Sequence, residues 1–208
     1  KAQGIAPAPG RSRWHEAARW VVSVGGFVNV DNDGRQSRIE KVADIPPGKF
    51  EVLDVSIDAN PQSNTITDDD FTRLSGLKEL RSFRVAGIKV GDAAFAFLPA
   101  TPAVTSIVIA GIPVTDAVLS HVAPLANLGD LQVQSAPQFT GAGLEKLASL
   151  PVLKSVWFSG SGFNDEGARA LARAPNLEFA RFDSSKITDD GVAALGRMPR
   201  LTDVSFMQ

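Results

Sequence analysis

Residues 187–195 read Ile187-Thr188-Asp189-Asp190-Gly191-Val192-Ala193-Ala194-Leu195, and the same order of residue types returns up the chain. Its first residue closes the series Ile66, Val90, Val114, Phe139, Phe163 and Ile187, with gaps of 24, 24, 25, 24 and 24. A second series, Leu80, Val104, Leu128, Leu153, Leu177 and Leu201, runs in phase with it. A fixed period of this size marks a solenoid, in which each unit buries its apolar face only by stacking on its neighbours.

Each unit has three parts. A strand carries apolar residues at positions 0, 3 and 5, as in Leu80/Phe83/Val85, Val104/Ile107/Ile109, Leu128/Leu131/Val133 and Leu153/Val156/Phe158. Positions 3 and 5 alternate as a half-buried strand requires. A short loop leads to the anchor. Then a helix of roughly ten residues is expected, with a buried pair three residues apart on one face: Phe71/Leu74, Phe95/Leu98, Leu119/Val122, Leu144/Leu147, Ala168/Leu171 and Val192/Leu195. Thr67, Thr115, Thr140 and Thr188 follow their anchors and suit a cap; Asp68, Asp116, Asp165 and Asp189 suit the positive end of a helix dipole. Pro102, Pro151, Pro175 and Pro199 stop each helix two residues before the next strand begins.

Upstream of the repeats the pattern changes. Residues 1–10 are rich in Ala, Pro and Gly and read as a linker. Ser12 is placed to cap a helix whose stripe is Trp14, Ala17, Ala18, Val21 and Val22, ended by Gly25-Gly26. Phe27–Val30 and Ser37–Val42 read as strands joined through Asp31-Asn32-Asp33-Gly34, a hairpin signal. Residues 11–50 are therefore expected to be a capping module. Residues 51–208 are the repeats: an atypical strand around Val52, Val55 and Ile57, then six units, the last without a cap. The start at Lys1 rather than Met points to a module of a larger protein.

The strand pattern L-x-x-L-x-L, the I-T-D-x-G-L-x-x-L stretch and the proline turn together resemble the leucine-rich repeat family over roughly residues 50–208. The subtype most similar is the ribonuclease-inhibitor-like and F-box-associated one, with helices on its convex side. The block Ala17–Gly26 looks like the segment preceding such repeats in bacterial, planctomycete-type proteins. Val118 replaces the motif glycine, and Phe139-Thr140-Gly141 and Phe163-Asn164-Asp165 also depart from the pattern. The resemblance implies an α/β, right-handed solenoid with parallel strands on its concave face, and binding rather than a reaction.

Composition narrows the function further. Net charge is −2, from 21 Lys and Arg against 23 Asp and Glu, so no basic face is available for nucleic acid. No apolar run is long enough to span a bilayer, and no polybasic patch invites a membrane surface. With no cysteine and histidines only at His15 and His121, a thiolate zinc site or cysteine nucleophile has no material. No cofactor is expected, and no acid, base and nucleophile converge.

The outward strand positions form columns. Position 4 reads Arg84, Val108, Gln132, Trp157, Arg181 and Ser205; position 2 reads Ser82, Ser106, Asp130, Ser155, Phe179 and Asp203; position 6 ends at Asp183 and Met207. Two large aromatics thus fall on neighbouring strands of a small, polar surface, with Arg181 one rung from Trp157. Such side chains dominate binding hot spots. The candidate binding set for a protein or peptide is Trp157, Phe179, Arg181, Gln132, Asp203 and Arg84. The alternative is a spacer or assembly domain, homo-oligomeric through its C-terminal strand edge. Asn29, Asp31, Asp33 and Glu40 match part of a calcium loop's spacing, but the first ligand is Asn and the flanks read as strands, so a plain hairpin turn is the better account.

Overall fold

The computed structural model describes residues 12–207; the linker expected at 1–10 lies outside the described residues. Helix α1, Arg13–Ser23, buries Ala17, Ala18, Trp20, Val21 and Val22. Ser12 precedes it in extended conformation without capping the backbone. Its hydroxyl instead meets His15 Nδ1 at 2.6 Å, and His15 Nε2 lies 2.9 Å from the Pro46 carbonyl. Gly25, at φ +80°, turns the chain out of the helix.

Strands β1 (Phe27–Asn32) and β2 (Arg35–Ile39) form the hairpin. The turn is tighter than the sequence suggests: Asn32 pairs with Arg35, and Asp33 and Gly34 take φ +53° and +82°. β1 pairs antiparallel with β3, Glu51–Asp58. From β3 onward every pairing is parallel, through β4 (Ser82–Ala86), β5 (Ser106–Ala110), β6 (Asp130–Gln134), β7 (Ser155–Ser159), β8 (Phe179–Arg181) and β9 (Asp203–Ser205). One nine-stranded sheet results, in the order β2-β1-β3-β4-β5-β6-β7-β8-β9. The fold is an α/β, right-handed leucine-rich-repeat solenoid.

The core runs along the stack. Leu80, Val104, Leu128, Leu153 and Leu177 are buried, as are the anchors Ile66, Val90, Val114, Phe139 and Phe163. Two aromatic clusters thicken it. Phe71, Phe83, Phe95 and Phe97 pack in the early units, and Phe139, Phe158, Phe163 and Phe182 in the later ones, with Phe163 stacked on Phe182 at 4.7 Å. At the far end burial fades: Val192 is 42% exposed and Leu201 only partly buried, so the expected Val192/Leu195 pair is half open.

The convex side differs from the ten-residue helices expected. It consists of 3-10 turns at Asp68–Leu74, Asp92–Phe95, Leu98–Ala100, Asp116–Val118 and Leu144–Leu147, with short helices α2 (Leu119–Val122), α3 (Asp165–Leu171) and α4 (Asp189–Leu195). A unit of 24 residues must return to its start with few to spare. A 3-10 turn advances about 2.0 Å per residue against about 1.5 Å for an α-helix, so it spans the convex side with fewer residues.

The aspartates also do more than face a dipole. Asp92 accepts the N–H and hydroxyl of Thr115, Asp116 those of Thr140 together with the Gly141 N–H, and Asp165 those of Thr188. Asp68 accepts the Gly91 N–H. Each carboxylate thus ties its own unit to the next. The ladder skips one rung at Gly141, which stands where another aspartate would. Gly141 has φ +82°, and a Cβ there would lie 2.6 Å from the Phe163 ring.

Candidate functional site

Register, rather than loop geometry, builds the site. Ser155 pairs with Phe179 and Phe179 with Asp203; Gln132 pairs with Trp157 and Trp157 with Arg181. Their even-numbered strand positions face outward because Val156, Phe158 and Ala180 face the core. Gln132, Trp157, Phe179, Arg181 and Asp203 line one depression of about 280 Å³, with Ser155 and Ser205 between them. Arg84 does not join them. It lies on β4, three strands from Trp157, with its Nε 3.2 Å from Asp58 Oδ1.

Within the depression the parts are held by one another. Arg181 Cζ sits 4.6 Å from the Trp157 ring centroid, a cation–π arrangement. Arg181 Nε donates to Asp183 Oδ2 at 2.5 Å, and Asp183 Oδ1 accepts the Met207 N–H at 3.2 Å. Asp183 is therefore not an outward residue. β8 ends at Arg181, and Asp183 is buried beneath the guanidinium it orients. Gln132 donates to Asp130 and accepts from Gln134, while Asp130 also accepts the Ser106 hydroxyl. Trp157 is half-buried, and its indole N–H is enclosed without an acceptor. Phe179 is 48% exposed on the neighbouring strand. The result is a rigid apolar spot framed by amide, hydroxyl and carboxylate groups. Asp183 escaped the sequence reading because alternation places it outward; the end of β8 and the left-handed Ser184 (φ +49°) that follows decide otherwise.

The calcium-loop residues do not converge. Asn29 donates to Asp54, Asp31 accepts the Gly34 N–H inside the turn, and Glu40 is paired with Arg38 at 2.6 Å. Among the described residues no three His, Asp or Glu side chains gather to hold a metal. Nor is any described helix long and apolar enough to cross a membrane.

No family model and no curated protein matches the chain. Among solved structures, an internalin (inlF) from Listeria monocytogenes superposes with a TM-score of 0.51 at 18% identity, covering 64% of this chain and 36% of that one. Internalin C2 (inlC2) from the same organism aligns over 99% of this chain and 100% of its own, at 17% identity and a TM-score of 0.45. The first likeness is one of fold, over about a third of that protein's length, and it supports placing the chain among leucine-rich-repeat folds.

Proposed function

We propose that the concave face around Trp157 is a non-catalytic recognition surface for a protein or peptide. The observation that carries this reading is an exposed Phe179 beside a half-buried Trp157, both fixed on paired strands, with Arg181 locked onto the indole by Asp183. Two aromatics and an arginine lining one depression are the side chains that dominate binding hot spots. The strands are already ordered, so association loses little conformational entropy there. A reaction finds less support. His121 lies on the convex side and His15 is engaged with Pro46, which leaves no imidazole at the depression. In this reading residues 11–50 close one end of the stack and residues 51–208 carry the binding columns.

Selection from a randomised peptide display library tests it, run in parallel on the wild type and on Trp157→Ala/Arg181→Ala. The wild type enriches peptides that the double variant does not; equal enrichment contradicts the proposal. A second reading, assembly through the β9 end, is favoured by Val204, Phe206 and Met207, which are 38%, 41% and 50% exposed. In that reading sedimentation finds a dimer that Phe206→Asp dissociates.

A further inference from the structure

The pattern of charge on the concave face narrows the ligand, provided the recognition reading above holds. Its outward columns hold four carboxylates, Asp54, Asp58, Asp130 and Asp203, against two guanidinium groups, Arg84 and Arg181, with a fifth carboxylate, Asp183, buried behind Arg181. Both cations are neutralised internally, Arg84 by Asp58 and Arg181 by Asp183. Of the cations directly preceding the strands, Lys154 before β7 is paired with Glu178 at 3.0 Å, and Arg81, exposed before β4, stands three strands away from the aromatic spot. The face is therefore left with net negative charge. Two of the remaining carboxylates bracket the aromatic spot along a single rung: Asp130 on β6, Ser155 on β7, Phe179 on β8 and Asp203 on β9. Asp130 has neutral partners only, Ser106 and Gln132. Asp203 is exposed and has no side-chain partner among the described residues.

The rung has a length. Three inter-strand steps of about 4.8 Å place Asp130 and Asp203 about 14 Å apart. An extended peptide laid across the strands advances about 3.3 Å per residue and turns every second side chain to the same face. Residues i and i+4 then reach the two carboxylates, and residue i+2 falls between Ser155 and the exposed Phe179. Arg181 already covers the Trp157 ring, so the centre of the rung suits an apolar side chain and the ends suit cations. We infer that the concave depression binds an extended basic segment of the pattern cation–x–apolar–x–cation.

The test uses the full chain and two labelled nine-residue peptides in a neutral glycine–serine background. One carries lysines at its first and fifth core positions with leucine at the third; the other carries glutamates in place of the lysines. Fluorescence anisotropy is measured with the wild type, with Asp203→Asn, and with Phe179→Ala, at low and high salt. The lysine peptide binds, loses about fivefold in affinity to Asp203→Asn and weakens with added salt, and the glutamate peptide binds at least about tenfold more weakly. Asp203 is exposed, so the variant keeps the wild-type melting temperature and the loss is one of contact. Equal binding of both peptides, or an unchanged affinity in Asp203→Asn, overturns the inference. If both peptides bind equally and Phe179→Ala abolishes both, the recognition reading survives while the charge argument falls. If neither binds, the inference is overturned, and the library selection decides the recognition reading by itself.

Discussion

Asp116 is the sharpest place to ask what holds one unit to the next. Its carboxylate accepts the Thr140 hydroxyl at 2.6 Å, the Gly141 N–H at 2.8 Å and the Thr140 N–H at 3.1 Å. Asp116→Ala removes all three acceptors at once. A hydrogen bond to a charged group nets about 1.5–3 kcal/mol, but three bonds to one carboxylate do not add, and donors near the surface recover water. A loss of about 2–3 kcal/mol follows. For a chain of this size that lowers the melting temperature by roughly 4–12 °C. Asp189 is the natural control. It holds the equivalent position at the start of α4 and bonds no further unit among the described residues, so Asp189→Ala loses only the dipole contribution, less than about 1 kcal/mol. Urea unfolding followed by two probes measures both, since stacked units unfold together only when their interfaces hold. A double-mutant cycle with Thr140→Val then returns the coupling directly. Equal losses for the two aspartates, with no coupling to Thr140, refute the idea of carboxylates joining units.

Three further outcomes follow from the same contacts. Leu153, buried in the middle of the stack, costs about 2–5 kcal/mol when replaced by Ala, read as a shift of the urea midpoint. The Thr188 hydroxyl and N–H donate to Asp165 and hold its carboxyl below the usual aspartate range. Its contribution is therefore present above about pH 4 and lost as pH falls through the lowered folded value. The melting-temperature gap between wild type and Asp165→Asn accordingly narrows on going from pH 7 to pH 3, and a gap that widens contradicts the assignment. Gly141→Asp, which completes the carboxylate series on paper, destabilises the protein by more than about 1 kcal/mol in thermal melts, because its φ of +82° and the Phe163 ring both exclude a Cβ.

The period carried the architecture because it is written in chemistry that only stacking satisfies. Once Leu80, Val104, Leu128, Leu153, Leu177 and Leu201 share a phase, the strand register follows, and with it the neighbours Trp157, Phe179 and Arg181. The cross-unit ladder was also present in the sequence, as a threonine 23 or 24 residues after each of Asp92, Asp116 and Asp165. It stayed hidden because threonine followed by aspartate is equally what a helix cap looks like. The convex side is ambiguous in sequence for a related reason. Pairs such as Leu144 and Leu147 sit three apart, a spacing that a 3-10 turn satisfies as well as an α-helix. Arg84 shares a column with Trp157 yet stands three strands away beside Asp58, since a column records which face a residue takes and not how near it lies.

Hydroxyl-radical footprinting of the chain with a selected peptide bound separates the concave face from the end of the sheet. With recognition at the concave face, Trp157 and Phe179 are protected, and Val204, Phe206 and Met207 are labelled as in the free protein. Protection confined to Val204–Met207, with Trp157 and Phe179 labelled unchanged, contradicts it and moves binding to the end of the sheet.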